Sequence, residues 1–256
     1  LTRVHVAAAL ESGGVVDLPA ETASHVARVL RGRVGDALVI FNGDGREFSA
    51  EIAAVRGTRV TVSLGAAQTV DRESRLAVTL VQCVPRGDRM DFVVQKVTEL
   101  GVTRIVPVLS GRSVVRLDAR QSAAKLAHWR AVAISACEQC GRNHVPTIDE
   151  ARPLLDFLGD TPMPAALRLV LEPDAEHPTD SERAAPGAPH KVEIAIGPEG
   201  GFAPEELEAF RLAAFVRVQL GPRVLRTETA AVAALAWLQT RFGDMHGTPD
   251  IGAPRG

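Results

Sequence analysis

The chain has 256 residues, 46% of them hydrophobic, with a net charge of −2 and three cysteines. These figures exclude a disordered polymer and a secreted disulfide framework, and they leave room for one large domain or two modest ones. No apolar run reaches the roughly 18 residues of a membrane span, no signal peptide is read ahead of the first strand, and a near-neutral charge means that any nucleic-acid partner must be held by a local patch.

In chain order, the first seventy residues alternate with period 2. Short strands are expected at Val4–Val6, Val15–Leu18, Ala37–Phe41, Glu47–Val55 and Arg59–Leu64. Asn42, Gly43, Asp44 and Gly45 make a hairpin turn, because Asn and Gly tolerate positive φ. One helix interrupts the strands, Ala20 to Arg31, with Ala23, Val26, Ala27 and Leu30 on one face. Residues 1–72 thus read as a small β-barrel-like module, and the polar stretch Gln68–Ser74 reads as a linker.

From Arg75 strands and helices alternate. Strands are expected at Leu76–Val84, Arg104–Leu109, Leu167–Leu171, Val192–Ile196 and Phe215–Leu220. Helices are expected at about Asp88–Leu100, Ala119–Cys140 and Thr227–Phe242, with another opening near Pro204. Such alternation implies an α/β domain with a parallel sheet covered on both faces, here residues 75–243. Pro173 to His190 is proline-rich and reads as a surface loop, and residues 244–256 as a loose tail.

Two loops carry the strongest signal. Ile196 to Phe202 (IGPEGGF) and Leu220 to Ala230 (LGPRVLRTETA) each follow a strand and open a helix. Such turns place bare backbone at the C-terminal edge of a parallel sheet, where open α/β sheets bind ligands. Neither is a Walker loop or a GxGxxG, so phosphate and dinucleotide binding lack support. Glu205 and Glu206 in the first turn after Pro204 counter the helix dipole and would weaken a phosphate site.

These two loops closely resemble the signature of the RsmE family, knotted SPOUT-class methyltransferases acting on N3 of one uridine in 16S ribosomal RNA. Further matches are His25–Arg31, Val34–Asp36, Phe41–Gly43, Lys96–Gly101, Arg112-Ser113 and Glu138-Gln139, so the resemblance spans about residues 1–243. It implies a PUA-like barrel followed by a trefoil-knot domain, and S-adenosylmethionine as cofactor. It places that cofactor against Leu171, Gly197, Gly201, Leu220, Gly221, Leu225 and Thr229, and requires no metal. It also implies a homodimer whose site is completed by the second subunit, working in the cytoplasm on 16S RNA or the 30S subunit.

Uracil N3 is protonated at neutral pH, so the reaction needs a base or a stabiliser of the resulting anion. Glu199 and Glu228 are candidate bases, and Arg226 and Arg223 candidate stabilisers. Each has a second reading: Glu199 ordering its loop by accepting backbone N–H bonds, Arg226 pairing with Glu228 or holding a subunit interface. The sequence does not assign the base. RNA contact is expected from Arg28, Arg31 and Arg33, and from Arg112 and Arg116 in a stretch (111–130) with five basic residues against Asp118 alone. With four per cent aromatics and no Tyr, a stacking platform for single strands is disfavoured. Cys137 and Cys140 have CxxC spacing but no second ligand pair, and read as buried free thiols. The alternatives are a SPOUT enzyme acting on another ribosomal or transfer RNA base, or a noncatalytic ribosome-assembly protein that would not bind the cofactor.

Overall fold

The computed structural model describes residues 1–113, 115–160, 166–174 and 189–246. Most of the Pro173–His190 loop and of the C-terminal tail lie outside the described residues. The chain forms two compact units, residues 1–73 with 130–146, and residues 74–129 with 147–256.

The first unit holds β1 (Thr2–His5), β2 (Val15–Asp17), α1 (Ala20–Arg28), β3 (Ala37–Phe41), β4 (Arg46–Arg56) and β5 (Arg59–Thr69). Its sheet runs β1-β3-β4-β5-β2, parallel only at β1–β3. Alternation along β4 and β5 sends Phe48, Ala50, Ile52, Val60, Val62 and Leu64 into one core, which α1 closes with Ala23 and Val26. The β3–β4 turn has Gly43 and Gly45 at φ 93° and 91°, with Asn42 Oδ1 accepting the Asp44 N–H. The helix stops at Arg28, short of the expected Arg31, because Arg31 turns to φ 53°, outside the helical region.

The segment 130–146 belongs to this unit, which sequence patterning did not reveal. Arg142, almost fully buried, donates to both oxygens of Glu73, and Asn143 donates to Val70 O and accepts from Arg3. Burial alone would push the Glu47 carboxyl up, but the guanidinium groups of Arg72 and Arg3 overcome it and hold Glu47 at about 2.

The second unit is a wholly parallel sheet in the order β12-β10-β11-β6-β7-β8. Its strands are β6 (Ala77–Cys83), β7 (Arg104–Leu109), β8 (Thr147–Ile148), β9 (Arg152–Pro153, also paired to β7), β10 (Leu167–Leu171), β11 (Lys191–Ile196) and β12 (Val216–Val218). Its helices are α2 (Arg89–Glu99), α4 (Leu154–Gly159), α5 (Pro204–Leu212) and α6 (Thr227–Phe242); α3 (Ala119–Cys140) begins in this unit and ends in the first. The two faces are covered differently. Val81, Cys83, Val106 and Val108 pack with Phe157 of α4 and Phe210 of α5. Along β6 the side chains alternate, so Leu80 and Gln82 point to the opposite face, where α6 lies. Arg168 and Glu193, opposite each other on β10 and β11, form a buried ion pair at 2.5 Å, and Arg168 also donates to Ala213 O. β8, β9 and α4 were not expected from the sequence.

Candidate functional site

β10, β11 and β12 end together, and the loops that leave them enclose a cavity of about 260 Å3. The first loop, residues 197–203, turns back through Gly201 at φ 66°, and the second, residues 219–226, through Gly221 at φ 71°. Both are left-handed positions at which a side chain would be strained. Gly197 has a different reason to be glycine: a Cβ there would meet the Phe202 ring at 3.2 Å. Phe202 is itself buried against Phe210, ring centroids 4.8 Å apart, and so anchors the loop in the core.

Hydrogen bonds from three further side chains fix the cavity walls. Thr227, the first residue of α6, donates from Oγ1 to Gly197 O at 2.7 Å and accepts from Gln82 Nε2 at 2.9 Å. That relay ties the end of β6 to both loops. Glu206, buried, accepts the Ala203 N–H at 2.8 Å with one carboxylate oxygen and the Gly111 N–H at 2.7 Å with the other. It thereby caps α5 in place of Ala203, which has no capping side chain. Gln219 Nε2 donates to Pro173 O at 2.5 Å, joining the second loop to the chain after β10.

Of the residues expected at the cofactor, Leu171, Gly197, Gly201, Leu220, Gly221 and Leu225 line this cavity. Thr229 does not; it is exposed, and Thr227 lines the wall instead. The helix starts at Thr227, and two residues further along a helix turn the side chain by about 200°. Glu172, not singled out by the sequence, also lines the cavity; burial pushes its carboxyl above the ordinary range, with Arg217 opposing from 3.4 Å.

Glu199 lines the cavity mouth, and its carboxylate takes Arg89 Nη1 at 2.6 Å rather than backbone N–H groups. Glu228 lies 3.9 Å from Arg89 Nε. Arg226 and Arg223 are exposed on the cavity rim, and Arg226 is the N-cap residue of α6. Of the residues expected at RNA, Arg28, Arg31 and Arg33 are exposed on α1 and the loop after it, within the first unit. In the second unit Arg112 and Arg116 are exposed after β7, and Arg112 donates to Gly200 O at 3.1 Å, against the first loop.

Cys83, Cys137 and Cys140 are free thiols; the first two are buried and Cys140 half-buried. Burial pushes Cys137 up to about 12. Among the described residues no group of three or more His, Cys, Asp or Glu is placed to hold a metal, and no helix is long and apolar enough to cross a membrane.

A parallel sheet with a glycine-walled cavity at its C-terminal edge, in a chain that also holds a separate sheet-rich unit, is the architecture of an RNA methyltransferase domain with a PUA domain, and the family profiles identify it as such. The family profile of the RNA methyltransferase domain matches residues 72–239, and that of the RNA methyltransferase PUA domain matches residues 18–65. The chain belongs to the RsmE family of RNA methyltransferases. It is 32% identical to ribosomal RNA small subunit methyltransferase E of Buchnera aphidicola (Schizaphis graminum strain) over 96% of this chain and 98% of that protein. It is 34% identical to the enzyme of that name from Mycobacterium tuberculosis, over 88% and 86%. The ribosomal RNA small subunit methyltransferase E of Neisseria gonorrhoeae, solved with bound S-adenosyl methionine, superposes with a TM-score of 0.83 at 36% identity, covering 96% of this chain and 100% of its own. A Legionella pneumophila chain solved with the same cofactor gives 0.88 at 39%, covering 95% and 99%.

Proposed function

We propose that this chain methylates N3 of one uridine in the 16S RNA of the small ribosomal subunit, with S-adenosylmethionine as the donor. The observation that carries the reading is the cavity between the two glycine-bearing loops, in a chain similar over nearly its whole length to cofactor-bound relatives. The walls suit that cofactor. Leu171, Leu220 and Leu225 offer apolar faces to an adenine ring, Gly197, Gly201 and Gly221 bring backbone without side chains to the cavity, and Glu172 offers a carboxylate. The bound cofactor supplies an electrophilic methyl group on a sulfonium.

The chain's own residues then divide the work. Glu199 and Glu228 are the candidate acceptors of the N3 proton, and Arg226 on the rim is placed to stabilise negative charge on the uracil oxygens. Arg28, Arg31, Arg33, Arg112 and Arg116 neutralise RNA phosphates, which makes binding salt-sensitive. The second loop threads as part of a trefoil knot, and the active form is a homodimer; Val224, 80% exposed on the rim of the cavity, supports a second copy completing the site. Three free thiols support a reducing cytoplasm.

The test is transfer of labelled methyl groups to 30S subunits lacking the modification, with protein-free 16S RNA alongside and nucleosides identified by mass spectrometry. The expected product is 3-methyluridine. A different methylated nucleoside would keep the enzyme class and reject the target. Absence of transfer together with absence of cofactor binding in calorimetry would reject the enzyme.

A further inference from the structure

The ion pair between Arg89 and Glu199 has no explanation in the fold. Arg89 is the first residue of α2, where the helix dipole favours an anion and opposes a cation. Its partner does not offset this through burial, since the two side chains are 41% and 38% exposed, and such pairs contribute little to stability. A local preference broken without structural gain is the mark of a functional position. The pair also sits at a particular place: Glu199 lines the mouth of the cavity, and Arg89 reaches its carboxylate from the start of α2 at 2.6 Å.

A second carboxylate stands behind the guanidinium. Glu228 Oε1 is 3.9 Å from Arg89 Nε, while Glu228 Oε2 is buried with no hydrogen-bond partner among the described residues. Arg89 therefore faces one carboxylate on the open side and another on the buried side. When Glu199 turns to another donor, Arg89 keeps a counter-charge and need not leave its place.

We propose that Arg89 and Glu199 together read the imide edge of the target base, Glu199 rejecting cytosine and Arg89 stabilising the charge that develops on the base. This rests on the uridine-N3 reading above. The edge of uracil presents N3–H between two carbonyl oxygens. A carboxylate beside a guanidinium is the complement: Glu199 accepts N3–H and Arg89 donates to the adjacent carbonyl oxygen. Cytosine presents a lone pair at N3, which would face the Glu199 carboxylate unpaired, so the same pair rejects it. In the reaction N3 gives its proton to Glu199 and its electron pair to the methyl carbon, whose bond to sulfur breaks with that pair passing to sulfur. Negative charge that develops on the carbonyl oxygen meets Arg89, a stabilising contact strongest in the transition state.

The experiment compares wild type, R89M, R89K and E199Q in methyl transfer to 30S subunits lacking the modification. Cofactor affinity by calorimetry and thermal midpoints are measured on each protein. The expected result is a fall in kcat/KM of about 100-fold or more for R89M, with R89K recovering to within about 10-fold, as for loss and partial restoration of a transition-state contact. For R89M and R89K, cofactor affinity and thermal midpoint should stay at wild-type values. Subunits carrying cytidine at the target should be discriminated less by E199Q, whose amide can donate to a cytosine N3, than by wild type. Turnover of R89M at the wild-type rate would overturn the proposal, as would a loss of cofactor affinity matching the loss of activity, since Arg89 would then be holding the cavity. A wild-type product other than 3-methyluridine would overturn the uridine-N3 reading and the proposal with it, and it is seen before any variant is made.

Discussion

Replacing Thr227 by valine removes one hydroxyl from the relay that runs from Gln82 Nε2 through Thr227 Oγ1 to Gly197 O. Shape is nearly conserved, so the loss is one of hydrogen bonding. The Gly197 carbonyl loses its donor, while Gln82 keeps its second bond, to Cys83 O at 2.9 Å. Two net bonds at about 1 kcal/mol each give an expected destabilisation of about 2 kcal/mol. In a unit of this size that lowers the midpoint of thermal unfolding by about 4–8 °C. The same substitution frees the first loop from α6, so cofactor affinity should fall by about 10-fold, the equivalent of 1.4 kcal/mol. Thr227→Ser keeps the hydroxyl and should restore both quantities to near wild type. The checks are differential scanning calorimetry and titration calorimetry with S-adenosylmethionine. A valine variant with wild-type midpoint and affinity would refute the claim that this relay sets the cavity.

Glu206→Gln leaves one acceptor where the carboxylate serves two backbone donors, Ala203 and Gly111. An expected loss of about 2–3 kcal/mol follows for a buried charged acceptor, measured by urea unfolding. Glu47, held at about 2 against an ordinary value of 4.5, adds up to about 3 kcal/mol of stability. Its folded-state value is depressed, so the contribution is complete above pH ~4.5 and lost as pH falls towards ~2. The stability gap between wild type and Glu47→Gln in urea should therefore close between pH 6 and pH 2.5, and a constant gap would contradict this. In the native protein iodoacetamide should modify Cys140 well before Cys83 or Cys137, which are buried and, for Cys137, pushed up to about 12. Equal labelling of all three in peptide mass spectrometry would be inconsistent with that burial.

Residues that act on their near neighbours in sequence could be read from the chain, and residues that act across it could not. Period-2 alternation located β3 and β5, and glycine and proline punctuation located both cavity loops. Thr147-Ile148 and Arg152-Pro153 are too short to show any period, which hid β8 and β9. Arg89 and Glu199 are 110 positions apart, and Gln82 and Thr227 are 145 apart, so no spacing rule links them. Glu206 was read through the helix dipole alone, whereas its carboxylate reaches back to cap the helix and across to Gly111. Thr229 differs from Thr227 only by the register of the helix start, and end positions are the part of a helix that sequence places least well.

The return of residues 130–146 to the first unit has a consequence for synthesis. Arg3 and Asn143, bonded at 2.6 Å, stand 140 positions apart, and Glu73 waits for Arg142. A ribosome that has released only the first 73 residues has delivered a sheet without the segment that satisfies Arg3, Val70 and Glu73. The N-terminal unit therefore cannot close until residues 130–146, and with them the first part of the catalytic unit, have emerged, and a fragment cut at the apparent linker is an unfinished domain.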